Sequence, residues 1–164
     1  MGHQIAGIIL STGMLKNALA LFSGTKAVTL PQEFSILPIN ADLIDGNGDK
    51  SRVIYPFDLL TENLAKIAQD YSADCGIAYI ETEYFGGVGA QCAIAWINSC
   101  IVYGPEISRT EWIHDRELFT RSNGFPINQA LQEIGVEKEK GEDEFDSLRL
   151  GNFRSFEDYY DISN

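Results

Sequence analysis

A chain of 164 residues, 45% apolar and 22% charged, has the composition of one globular domain able to bury a core, which excludes wholesale disorder. Twenty-four acidic against twelve basic residues give a net charge of −12, which excludes nucleic acid and anionic membrane as partners, since both are held by Lys and Arg against phosphate. The same surplus favours solubility and fast encounter with a basic protein.

Ile5 to Leu10 is too short for a signal peptide's apolar region and follows no Lys or Arg. No apolar run approaches the ~20 residues of a membrane span. A soluble, cytoplasmic protein is therefore expected. His3 to Leu10 reads as a buried strand with Gly7 at a point of close packing. Ser11 and Thr12 can cap a helix from Gly13 to Phe22, with Met14, Leu15, Ala18, Leu19 and Phe22 on one face. Ala27 to Leu30 and Phe34 to Ile39 are strand-like, and Pro31 and Pro38 put at least one of them at a sheet edge. Residues 42–55, DLIDGNGDKSRVIY, predict a hairpin with Arg52 to Tyr55 as the returning strand.

Phe57, Leu60, Leu64, Ile67 and Tyr71 recur at spacings of three and four, predicting a helix over 57–71 that opens after Pro56. Residues 76–85 and 91–103 are β-type runs, apolar on both faces, and so are read as two central strands covered from both sides. Between them, EYFGGVGAQ could begin a dinucleotide fingerprint, but Cys92 stands where the third glycine belongs and the following residues are β-like rather than helical. It is read as the hinge of a hairpin. A helix is expected around Glu111 to Phe119, a loop at Ser122 to Gly124, and a short helix from Pro126 to Ile134 stopped by Gly135. Residues 137–164 hold nine acids and four bases. They begin with a charged, mobile stretch at 137–144, yet include Phe145, Leu148, Leu150, Phe153, Phe156, Tyr159 and Tyr160, enough to dock on the domain or on a partner. The order of elements predicts a single α+β domain over 1–164, a mainly antiparallel sheet packed by helices.

Chemistry-bearing residues are few. Cys75, Cys92 and Cys100 lie among apolar neighbours without paired spacing, as buried thiols do. With only His3 and His114 beside them, no zinc site and no cofactor are expected. Asp45, Asn47 and Asp49 match the first three ligand positions of a calcium loop. Lys50 and Pro56 break its later positions, which leaves a turn. Glu81 and Glu83 fall on one face of a central strand, about 7 Å apart by strand geometry, and could act as acid and base or hold a metal. Alternatively they are solvated, or ion-paired with Arg52, Arg109 or Arg116. His114, with Asp115 beside it and Trp112 near, could be an oriented base or simply a surface histidine. Glu157, Asp158, Tyr159, Tyr160 and Asp161 combine acids that steer encounter with aromatics that supply contact area.

The segments EYFGGVGAQ…AIAW and EFDSLRLGNFRSFEDYY resemble patches in small uncharacterised bacterial proteins, some encoded near toxin or defence genes. The resemblance implies no catalytic residue; it implies a stand-alone protein whose role is to bind. Two functions are carried forward. One is a non-enzymatic module, such as an immunity-type inhibitor, that neutralises a basic protein through residues 157–161. The other is a small enzyme or a ligand- or metal-binding domain with its pocket at Glu81 and Glu83.

Overall fold

Strands apolar on both faces have to be covered from both sides, and the sheet is built accordingly. The computed structural model describes residues 2–21, 24–113, 116–120 and 125–161, with side chains for all of these except 21, 111–113, 116–120, 160 and 161. The strands are β1 (His3–Ser11), β2 (Val28–Thr29), β3 (Phe34–Pro38), β4 (Ile77–Phe85), β5 (Val88–Ile97), β6 (Cys100–Ile113) and β7 (Arg116–Thr120). They form one sheet in the order β2-β3-β1-β4-β5-β6-β7, and every neighbouring pair is antiparallel. The helices are α1 (Leu15–Leu21), α2 (Ala41–Gly46), α3 (Glu62–Tyr71) and α4 (Pro126–Glu133), with short turns α5 (Glu144–Ser147) and α6 (Asp158–Asp161). The fold is α+β.

Period-two alternation sorts the strands' side chains into two cores. Ile5, Ile9, Ile80 and Ala93 pack under α4 and under Leu148, Leu150, Phe153 and Tyr159 of the C-terminal segment. Ile8, Ile77, Tyr79, Ile94 and Trp96 pack on the other face, under Ala18 of α1 and Leu64 and Ala68 of α3. Each fully buried isoleucine contributes roughly 1.5–3 kcal/mol, so neither layer is dispensable. Gly7 is the predicted point of close approach: a Cβ there would lie 2.8 Å from both Ile36 Cγ1 and the Leu37 carbonyl.

The two central strands are where the sequence pattern puts them, but the second run divides. Asn98 and Ser99, at φ 52° and 59°, turn the chain from β5 into β6. Neither is glycine, so the turn carried no obvious signal. The helix expected at Glu111 to Phe119 is instead a β6–β7 hairpin, with Thr110 opposite Phe119 and Ile113 opposite Arg116. Pairing of β6 with β7 carries the extended form through Ile113 and overrides local helical propensity.

The predicted hairpin over 42–55 is replaced by α2, capped by Asn40 Oδ1 on the Leu43 amide at 2.8 Å. Its returning strand reduces to one isolated bridge, Val53 to Thr61. The helix expected from Phe57 begins at Glu62, because Thr61 Oγ1 caps the Leu64 amide at 3.0 Å. Asp49 prepares that start by accepting from Thr61 Oγ1 and from the Ser51 amide and hydroxyl.

The C-terminal segment docks on its own domain. Leu148 and Leu150 are fully buried, Phe153 nearly so, and the Gln4 amide donates to the Arg154 carbonyl at 2.9 Å. In the charged stretch expected to be mobile, Glu144 is itself buried and paired to Lys138 at 3.6 Å. The predicted loop at 122–124 lies outside the described residues.

Candidate functional site

The hairpin between β4 and β5 turns on Gly86 and Gly87, at φ 61° and 83°, the positive values that tight two-residue connections need. Gly89 follows for a different reason: a Cβ there would lie 2.0 Å from the Glu83 carbonyl. The motif is a hinge, and beside it opens a cleft of about 580 Å³. Its lining includes Asp58, Glu81, Glu83, Cys92, Arg109 and Tyr159.

Glu81 is the best-held group in it. Counting along β4 from Ile77, odd residues face α3, so Tyr79, Glu81 and Glu83 share one side. The loop preceding α3 crosses above them with its amides turned down. The Asp58 amide donates to Glu81 Oε2 at 2.7 Å, and the Leu59 and Leu60 amides donate to Oε1 at 2.8 and 3.1 Å. The Tyr79 hydroxyl adds a fourth bond to Oε1 at 2.7 Å.

These bonds hold the loop before α3 against the strand, and the helix itself starts at the Thr61 cap. Burial pushes the Glu81 carboxyl above its usual range, while the hydrogen bonds from Asp58, Tyr79 and Leu59 act in the opposite direction. The Tyr79 hydroxyl is held well above its ordinary value by complete burial and by the Glu81 charge. The expectation that Glu81 is solvated or ion-paired is therefore corrected. Its partners are backbone amides, and Arg52 pairs with Glu62 at 2.6 Å.

Glu83, two residues further out, is exposed, as is Asp58. The two glutamates thus divide into a buried anchor and a surface charge. Cys92 faces the same side and hydrogen-bonds through Sγ to the Pro56 carbonyl at 3.6 Å. Its thiol is pushed up to about 12, first by burial and then by the Glu81 and Asp58 carboxylates. A thiol so placed stays protonated at neutral pH and is a poor nucleophile. Among the described residues no three His, Cys, Asp or Glu side chains gather as a metal site would require.

The C-terminal residues do not form the single surface their spacing suggested. Tyr159 is 1% exposed and stacks on Phe153 at 4.3 Å between ring centroids, so its ring belongs to the core. Asp158 accepts from the Arg154 and Ser155 amides at 2.7 and 2.9 Å, closing the turn into α6. Glu157 is exposed; the side chains of Tyr160 and Asp161 lie outside the description. His114 also lies outside the described residues, and Trp112 is described only by its place in β6. Gln91 sits apart from the cleft's carboxylates, accepting the Ile127 amide at 3.2 Å near the start of α4.

Sequence reasoning missed the amides of residues 58–60 and the buried hydroxyl of Tyr159. The one signal for the first was Tyr79-x-Glu81, a polar pair on one face of an otherwise apolar strand. Comparison with family models, with curated proteins and with solved structures gives no significant match. No helix among the described residues is long and apolar enough to cross a membrane.

Proposed function

We infer that the protein is a non-enzymatic binding module for a basic protein partner, an immunity-type inhibitor being one form of that role. One observation carries the reading: the reactive groups of the cleft are already engaged inside the fold. Glu81 is consumed by four donors and Cys92 is a protonated, hydrogen-bonded thiol. General acid–base work needs a group free to exchange its proton with substrate, and nucleophilic work needs a thiolate. What the cleft offers outward is Asp58, Glu83, the aromatic face of Phe85, which is 84% exposed, and one base, Arg109. Acids that steer and an aromatic that adds contact area suit recognition of a basic surface.

The test is to recover the partner from the native cells, purify it and remeasure binding with the two pure proteins. A basic partner whose affinity falls by about tenfold or more between 50 and 500 mM salt is expected. Recovery of no partner, or of one that binds independently of salt, would sink the reading. A second reading, a small-ligand or metal site, rests on the cleft's volume, which lies within the roughly 300–1,000 Å³ of ordinary ligand pockets. A melting-temperature screen against divalent metals and nucleotides tests it, since a ligand that binds only the folded state raises the transition.

A further inference from the structure

On the face of the sheet that α4 covers lies a further cleft, of about 310 Å³, at the lower end of the roughly 300–1,000 Å³ of ordinary small-ligand pockets. Its floor is the sheet, with His3 of β1, Tyr84 of β4 and Gln91 of β5. Its roof is the first turn of α4 and the start of α5, with Asn128, Asp143 and Phe145. Aromatic rings gather at it. The His3 ring lies 5.5 Å from the Tyr84 ring and 6.0 Å from the Phe145 ring between centroids, and Tyr84 and Phe145 are only half-buried. Flat molecules stack on such rings.

Polar groups converge beside the rings because consecutive residues of α4 hold them. The Ile127 amide donates to Gln91 Oε1 at 3.2 Å, which leaves the N–H groups of Gln91 Nε2 for other acceptors. No described residue accepts from that nitrogen, and it is not a buried atom. Asn128 Nδ2 donates to Asp143 Oδ2 at 3.0 Å, and Asp143 Oδ1 accepts the Asp146 amide at 2.9 Å. A carboxylate offers about four acceptor positions, so Asp143 can take further N–H donors. It is also the one formal charge among the described lining residues at neutral pH: burial lowers the His3 imidazole below its ordinary value, and no Lys or Arg lines the cleft. Such a site disfavours anions and suits a flat, neutral molecule whose donors stand next to an acceptor.

We propose that this cleft binds a guanine base, supplied as a free nucleoside, with its N1–H and 2-amino group on Asp143, its O6 on Gln91 Nε2, and its ring against Tyr84 and Phe145. Guanine sets two adjacent donors beside a carbonyl, the complement of a carboxylate beside an amide N–H. Edge hydrogen bonds combined with aromatic stacking are how proteins read single unstacked bases. A net charge of −12 repels the phosphates of a nucleic acid, which points to the nucleoside as the source. The site contains neither Asp58 nor Glu83 and does not depend on the partner-binding reading.

The test is a titration of the isotopically labelled full chain with guanosine, inosine, 1-methylguanosine and adenosine. Guanosine is expected to bind saturably and to shift the amides of Gln91, Asn128 and Asp143. Inosine, which lacks the 2-amino group, should bind about tenfold more weakly. 1-Methylguanosine, its N1 donor blocked, and adenosine, whose edge exchanges donor and acceptor, should not saturate. Asp143→Asn keeps a capping oxygen for α5 and should weaken guanosine by about tenfold or more. The analogue series uses the unaltered chain, so it decides the matter even where that variant is destabilised. A trinucleotide centred on guanine should bind less tightly than guanosine. No saturable guanosine binding, equal binding of 1-methylguanosine, tighter binding of the trinucleotide, or a folded Asp143→Asn variant that binds guanosine as wild type does would overturn the assignment. Each of these leaves the binding-module reading standing, since that reading is tested by a salt-dependent partner.

Discussion

Replacing Glu81 by glutamine removes one acceptor oxygen and leaves the shape of the side chain intact. The carbonyl can keep the bonds from Leu59, Leu60 and Tyr79, but the amide nitrogen then faces the Asp58 N–H, donor against donor. One lost bond to a charged acceptor amounts to about 1–3 kcal/mol, softened because Asp58 is exposed and water can reach its amide. Glu81→Leu strands all four donors, and Leu60 and Tyr79 are fully buried. The loss expected there is about 3–5 kcal/mol even after the gain from no longer burying a charge. Adding Tyr79→Phe to Glu81→Leu should return about 1 kcal/mol, since it removes one of the stranded groups. Urea unfolding followed by tryptophan fluorescence, with Trp96 in the core, reads all three. The pH dependence has a defined sign. Because the folded carboxyl is raised, its contribution is fully present below the unfolded value and is lost as pH rises through the folded one. The gap between wild type and Glu81→Gln should therefore widen as pH falls through the carboxyl range. A glutamine variant within about 0.5 kcal/mol of wild type, an amount typical of surface changes, would refute the account of residues 58–60 as a carboxylate clamp.

Other consequences can be checked independently. Tyr159→Phe should be neutral or stabilising by up to about 1 kcal/mol, because it deletes an unpaired buried hydroxyl; a loss above that amount in urea would mean that the hydroxyl is satisfied. Deleting residues 153–164 takes Phe153 and Tyr159 out of the core, and a fall in melting temperature of about 10 °C is expected; an unchanged transition would show that the segment is dispensable. Gly86→Asn should shift stability by less than about 1 kcal/mol, since asparagine tolerates positive φ and nothing crowds the site, whereas Gly89→Ala should cost about 3 kcal/mol or more. Equal effects of the two in urea unfolding would contradict the geometry of the hinge. A disulfide reagent at neutral pH should modify exposed Cys100 promptly and Cys92 only after unfolding, which mass spectrometry of the labelled peptides decides.

The sequence pattern made much of the sheet readable. Residues 77–97 are apolar on both faces, so their central position and double cover follow from period alone, and Gly86-Gly87 announces its hairpin by residue type. Failures came where tertiary pairing or side-chain capping decides the local structure. Asn98-Ser99 is a tight turn without glycine, and β6 keeps its extended form through Ile113 because β7 pairs with it there. The loop that leads into α3 is held by a glutamate on a strand some twenty residues later in the chain, which no local window contains. The candidate site was half legible. Glu81 and Glu83 were picked out together, but one is an anchor and the other a surface charge, and that division depends on a loop laid over the strand. Tyr159 looked like surface because acids surround it in sequence; its ring is placed by Phe153.

The position of β1 between β3 and β4 has a bearing on how the chain assembles. β4, β5, β6 and β7 form a meander of consecutive hairpins, each closed by a short connection, so they can pair soon after they exist. β1 is different: its register runs from His3 opposite Tyr84 to Leu10 opposite Ile77, a span of more than seventy residues at its wider end. Until residue 84 has left the ribosome, a strand apolar on both faces has β3 as its neighbour and open backbone groups along the other edge. The second edge of β1 is therefore covered only by the longest-range strand pairing in the sheet. A chain stopped short of β4 would expose that edge and its isoleucines to other chains.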